Sequence, residues 1–170
     1  MDKKFILRVE KTIQSIKSKL LQNEKIRKLL FYESDALVGD VAVPSVQMVK
    51  DNIFTQPVVN ITTEPPFNKK VFIAISLSAS GFRTVNEADH AIKIAVMCHS
   101  SDWIYDGGKV RVLHLVQEVI NDLNGVKFAC AEIVEYEQLI QTVVNEDITG
   151  YSLVFSVADG LGEPEVDKEE

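Results

Sequence analysis

A chain of 170 residues with 46% hydrophobic and 25% charged side chains can bury a core without staples, which excludes wholesale disorder. Its formal net charge of −7 excludes a general affinity for nucleic acid, which needs a basic footprint to displace phosphate counterions. No apolar run approaches the roughly 20 residues that cross a bilayer, and Phe5-Ile6-Leu7, broken by Arg8 and Glu10, is too short for a signal peptide. The chain is therefore expected to be made and kept in a cytoplasm.

The first third reads as helical. Ile6, Val9, Ile13, Ile16 and Leu20 recur at spacings of three and four and form one apolar stripe, with Lys3, Lys4, Lys11, Lys17 and Lys19 around it. Asn23-Glu24 can restart a turn and carry Ile26, Leu29 and Leu30 into a second short helix, or the first helix can run on through Phe31. From Glu33 to Gln56 the apolar residues come only in short pairs between Ser34, Asp35, Gly39, Asp40, Pro44, Ser45, Asp51 and Asn52. That composition predicts a long irregular connection with brief extended pieces, and loops of this length tend to be functional. Asp40, Val43 and Met48 are its candidate contact residues.

The middle reads as β. Val58 to Thr63 is an extended run that stops at Pro65-Pro66. In Lys70 to Ser78, Val71, Ile73, Ile75 and Leu77 share one face, with Phe72, Ala74, Ser76 and Ser78 on the other. A second alternation puts His90, Ile92, Ile94, Val96 and Cys98 on one face and Ala91, Lys93, Ala95, Met97 and His99 on the opposite one. The spacer between them, Ala79 to Asp89, is too long for a tight hairpin turn and too polar for a core. It reads as a projecting arm that finds burial against another molecule. Phe82 and Arg83 are its candidate anchors, with Val85, Asn86 and Glu87 beside them, because an aromatic and an arginine suit interface hot spots.

Ser100 to Gly108 reads as a loop holding Trp103 and Tyr105, followed by a helix from about Lys109 to Leu123. On that helix Leu113, Val116, Ile120 and Leu123 form a stripe that Val112, Leu115 and Val119 widen, which implies burial on more than one side. Asn124-Gly125 closes it. Phe128 to Tyr136 and Gly150 to Ala158 are the last two strands, Tyr151, Leu153, Phe155 and Val157 sharing a face. Glu137 to Ile148 fits either a strand extension or a loop. The order gives an α+β fold: an N-terminal amphipathic helix, a mostly antiparallel or mixed sheet covered on one face, a long inter-strand arm and one crossing helix. Residues 1–158 make one domain. Residues 159–170, with six acids against one lysine, are expected to be a disordered acidic tail that the basic first helix could complement, within one chain or between subunits.

Catalytic and metal-binding patterns fail on geometry. His90 and His99 are an odd number of residues apart on one strand and point to opposite faces, so they cannot chelate together. Asp89-His90 and Cys98-His99 are strand neighbours and diverge likewise, and His114 lies on another element. Asp106-Gly107-Gly108-Lys109 lacks the first glycine of a phosphate loop and has Val110 where Ser or Thr should stand. Glu132, Glu135 and Glu137 read as solvent-facing charges, and Cys98 and Cys130 as buried hydrophobes in a reducing compartment. No cofactor and no enzyme activity is expected. One site-like reading is a ligand pocket at the Trp103-Tyr105 loop with His99 and Asp102.

The chain resembles the tail terminator proteins of long-tailed bacteriophages, also called tail completion or tail-to-head joining proteins. The resemblance rests on the amphipathic first helix, the phrase Lys28-Leu29-Leu30-Phe31-Tyr32-Glu33-Ser34-Asp35 leading into a loop, and two long strands joined by an arm. The crossing helix Val112 to Leu123 and a last strand, Asp147 to Val157, complete it, over residues 3–158. It implies a structural virion protein that forms a homohexameric ring on the finished tail tube, stops its polymerisation and presents a surface to head-completion, neck or collar proteins. It also implies that the arm engages the tube or a neighbouring subunit, and that the protein ends in the virion tail or neck after assembly in the host cytoplasm. A head-completion or tail tube subunit is the alternative within the same class. The acidic tail has no counterpart in the resemblance.

Overall fold

The computed structural model describes residues 3–33, 37, 40–55, 70–79, 90–128 and 131–157. The run Val58 to Thr63, the arm residues Phe82, Arg83, Val85, Asn86 and Glu87, Cys130 and the acidic tail lie outside the described residues.

Helix α1 (Lys3–Gln22) is separated from α2 (Glu24–Phe31) by Asn23, whose side-chain oxygen accepts from the backbone N–H of Lys25 at 2.9 Å and Ile26 at 3.2 Å. Two helices therefore form where one long helix was an open alternative, because the asparagine satisfies donors that a helix start leaves orphaned. Ile16 and Leu20 of the α1 stripe are fully buried, with Ile13 packed beside them.

The connection that follows is more ordered than its composition implies. It contains a helical turn, α3 (Val46–Val49), a 3-10 turn (Lys50–Asn52) and a short strand, β1 (Ile53–Phe54), that joins the main sheet. Val49 and Ile53 enter the core, and Asn52 is locked by two backbone carbonyls, so three anchors fix a segment that lacks periodicity.

The sheet order is β1-β2-β3-β8-β7-β6, with β2 (Val71–Ala79), β3 (His90–His99), β6 (Val126–Phe128), β7 (Ala131–Val143) and β8 (Ile148–Val157). Only β1 pairs in parallel, on β2; the other ladders are antiparallel, so the sheet is mixed. Phe128 to Tyr136 is thus not one strand: the chain reverses between Phe128 and Ala131. Glu137 onward extends β7 to Val143 across a bulge between Tyr136 and Gln138, and β8 starts two residues before Gly150. Helix α4 (Arg111–Leu123) begins at Arg111 rather than Lys109, because Lys109–Val110 form β5 against β4 (Ile104–Tyr105). The expected loop Ser100 to Gly108 is therefore a 3-10 turn (Ser100–Asp102) and the first part of a small hairpin. Asp106 (φ 33°), Gly107 (73°) and Gly108 (99°) make its reversal, so the glycines serve a turn and not the helix start.

The main core lies between the sheet and the helices. It joins Ile16, Leu20, Ile26 and Leu29 to Val71, Ile73, Ile75, Ile92, Ile94, Val96, Cys98, Leu153 and Phe155, with Val112, Leu115, Val116, Val119 and Leu123 from α4. The strand alternations place these residues as the period of two predicts. Two members of the predicted stripes are not interior: Leu77 sits at the strand end and Leu113 on the outer side of α4, and both are exposed. The opposite sheet face is not bare either. Phe72, Ala74, Ala95, Met97 and Ile148 form a second buried cluster there, with Phe54 and Val144 against it.

Candidate functional site

The C-terminus of α2 is the point on which the surrounding surface is built. A helix end leaves carbonyls without partners, and here buried side chains from two distant segments supply the donors. Arg111 donates from Nε to the Leu29 carbonyl at 2.8 Å, from a terminal nitrogen to the same oxygen at 2.6 Å, and to the Tyr32 carbonyl. Asn52 donates to the Leu30 carbonyl at 3.0 Å and to the Val71 carbonyl at 2.9 Å, tying α2 to β2. The guanidinium meets Asp102 at 3.2 Å, and Lys70 approaches the other carboxylate oxygen at 3.5 Å. Burial pulls the Arg111 pKa down, with Cys98 and Asp102 opposing it, yet a guanidinium stays charged in any protein. Burial also drives the Cys98 thiol up to about 12, with Arg111 pulling the other way.

Beside this anchor, α2, Leu37, Val41, the β4–β5 hairpin and α4 enclose a cleft of about 550 Å³. Its polar lining is matched by charge. Lys25 pairs with Glu118 at 3.1 Å and Lys109 with Asp106, while Lys28 on its rim meets Asp40 at 3.2 Å. Tyr105 hydroxyl contacts Nδ1 of His114, and burial holds the phenol pKa above its ordinary range. A cleft whose cations are already neutralised is better suited to holding its walls together than to attracting a free anion.

On the outer side of α2 the connection forms a presented surface. The Arg27 guanidinium donates to the Pro44 carbonyl at 2.7 Å and holds the segment against the helix. Val43, Val46 (43% exposed) and Met48 (51% exposed) then face solvent, with Phe31 exposed at the end of α2. Of the sequence-predicted contact residues, Asp40, Val43 and Met48 are therefore all on the surface, Asp40 fully exposed beside Lys28.

Ser101 joins two of the pocket residues: its N–H donates to His99 Nδ1 at 3.1 Å, and its hydroxyl lies 2.9 Å from that nitrogen and donates to Asp102 at 3.1 Å. Asp102 is buried against Arg111, and neither His99 nor Asp102 lines the cleft. His114 points at Tyr105, not at Cys98. Glu135 and Glu137 are exposed, and among the described residues no group of three or more His, Cys, Asp or Glu is placed to hold a metal ion. Sequence reasoning missed Arg111 and Asn52. The available signal was Arg111 four residues before Leu115, on the apolar side of α4.

These elements all fall within residues 23–157, which match the family described as YomW. The chain belongs to the YomW family. The span shared with the family runs from the cap residue of α2 to the end of β8, so it takes in the sheet, α4, the cleft and the exposed connection. No curated protein is found to match the chain.

Proposed function

We propose that this YomW-family chain is a structural assembly protein of the tail-terminator kind. In this reading a homo-oligomeric ring caps a phage tail tube, halts its growth and joins it to the neck. The observation that carries the reading is the connection between α2 and β1. It is pinned by Arg27, Asn52, Val49 and Ile53, yet it holds Val43, Val46 and Met48 out in water. Apolar side chains exposed on a fixed segment fit a protein contact, since pre-ordering lowers the entropy cost of binding. The self-neutralised cleft supports an assembly role over ligand capture.

Purified protein added to growing tail tubes, with native mass measurement and electron microscopy, tests the proposal. The expected result is one ring at the tube end and tubes that stop lengthening. Met48→Asp with Val46→Asp should abolish capping while the far-UV spectrum is unchanged. A stack of rings would assign a tube subunit instead, and a monomer that leaves tubes growing overturns the reading.

A further inference from the structure

The sheet ends on two edges of different make. Among the described residues, β6 pairs with β7 only from Ala131 to Val134, and the next outward group, the Tyr136 N–H, is taken by Asn124 at 2.9 Å. From Glu137 to Val143 no described strand lies on that side. The stretch Gln138-Leu139-Ile140-Gln141-Thr142-Val143 carries no charge and no proline, and Leu139 (39%), Ile140 (40%) and Val143 (63%) are exposed. Sheet edges that must stay solitary are guarded by lysine, proline, bulges or extra cover, and among the described residues this one has only the bulge at Glu137, ahead of the apolar stretch.

Charge and strand direction identify the occupant. Residues 131–157, the β7–β8 hairpin, contain five Asp/Glu and no Lys/Arg, whereas α2, which packs over β2, contains three Lys/Arg and one Asp/Glu; α1, with six Lys/Arg, reaches both β2 and β7. One flank of the chain is therefore acidic and the other basic, which favours the acidic flank of one copy meeting the basic flank of the next. Three successive antiparallel ladders separate β2 from β7, so these two strands run in opposite directions. Copies related by rotation about an axis along the strands would then bring β7 of one beside β2 of its neighbour in antiparallel sense. Among the described residues, β2 offers Ile75 to Ala79 beyond its pairing with β1, again without charge and with Leu77 exposed on the same sheet face as Leu139 and Val143.

We infer that the free edge of β7, Glu137 to Val143, is the seam at which a second copy of this chain adds its β2 edge to the sheet, acidic flank to basic flank. The head-to-tail sense deepens the ring reading and rests on it, since a heterologous contact that closes makes a ring and leaves no free edge.

Hydrogen exchange and sedimentation of the full-length protein across a concentration series test the seam. Assembly should rise with concentration, slow the exchange of amides within 137–143, and weaken as salt is raised. Leu139→Lys with Val143→Lys, both at exposed positions, should leave the monomer folded and weaken association by at least about tenfold. Oligomers whose 137–143 amides exchange as fast as in the monomer would overturn the seam and leave the ring reading intact. A chain that stays monomeric at every concentration also overturns the seam, while tube capping by that same chain would still uphold the terminator assignment.

Discussion

Arg111 is the residue on which most of the local architecture converges, because one guanidinium closes the end of α2, starts α4 and meets Asp102. Arg111→Ala should destabilise the protein by about 3–5 kcal/mol in urea unfolding, since it takes the guanidinium away from the buried Asp102 carboxylate and from the Leu29 and Tyr32 carbonyls. Combining it with Asp102→Leu should recover part of that loss but not all, because the Leu29 and Tyr32 carbonyls stay orphaned. Cys98 gives a pH-dependent signature. Its folded pKa of about 12 stands above the ordinary 9.0, so its contribution is complete below pH 9 and lost as pH rises towards 12. Over that window the unfolded chain releases the proton first, and stability should fall by up to about 1.4 kcal/mol per pH unit. Comparing the wild type with Cys98→Ala at pH 8, 9.5 and 10.5 cancels the other titrations and isolates this slope. Arg111 was hidden in the sequence because a charged residue opening an amphipathic helix reads as solvent-facing. Its partners, Leu29, Tyr32 and Asp102, come from segments that only tertiary packing brings together.

At the scale of elements, local chemistry explains the breaks and tertiary contacts explain the exceptions. Asn23→Ala should cost about 1 kcal/mol by removing the α2 cap, read as a shift in the unfolding midpoint. Gly150 is less forgiving. A Cβ there would stand 1.9 Å from the Val96 carbonyl oxygen, so Gly150→Ala should part β3 from β8 and destabilise by about 3 kcal/mol or more, measured the same way. The alternations of β2, β3 and β8 were legible because each strand packs one face on the helices and the period of two survives in the letters. The β6–β7 reversal, β1 and α3 were not. They are two to four residues long or lack periodicity, and they exist through pairing with β2, the buried Asn52 and the seating of Val49 and Ile53.

For the whole molecule, the separation of charge bears on the proposed contact between copies. Basic α2 lies over the β2 side, α1 reaches both β2 and β7, and the acidic hairpin forms the far flank. Glu137→Lys, at an exposed position on the β7 edge, should therefore weaken self-association at low salt more than at high salt, as sedimentation at two ionic strengths would show. The two proposed contacts occupy different parts of the chain. The connection carrying Val46 and Met48 faces outward from α2, whereas β7 lies towards the other edge of the sheet. Changes at one should leave the other intact.

By itself the sequence determined the amphipathic helices, the three long central strands and their inward faces, because hydrophobic periodicity records which side of an element leaves water. It also determined the acidic and basic halves of the chain. Only the tertiary structure decided that Arg111 and Asn52 close the end of α2, that the connection is pinned rather than loose, and that β7 runs on past its pairing with β6. Each of these depends on which distant backbone groups come to lie within hydrogen-bonding reach, and that distance is not written in any local pattern of residues.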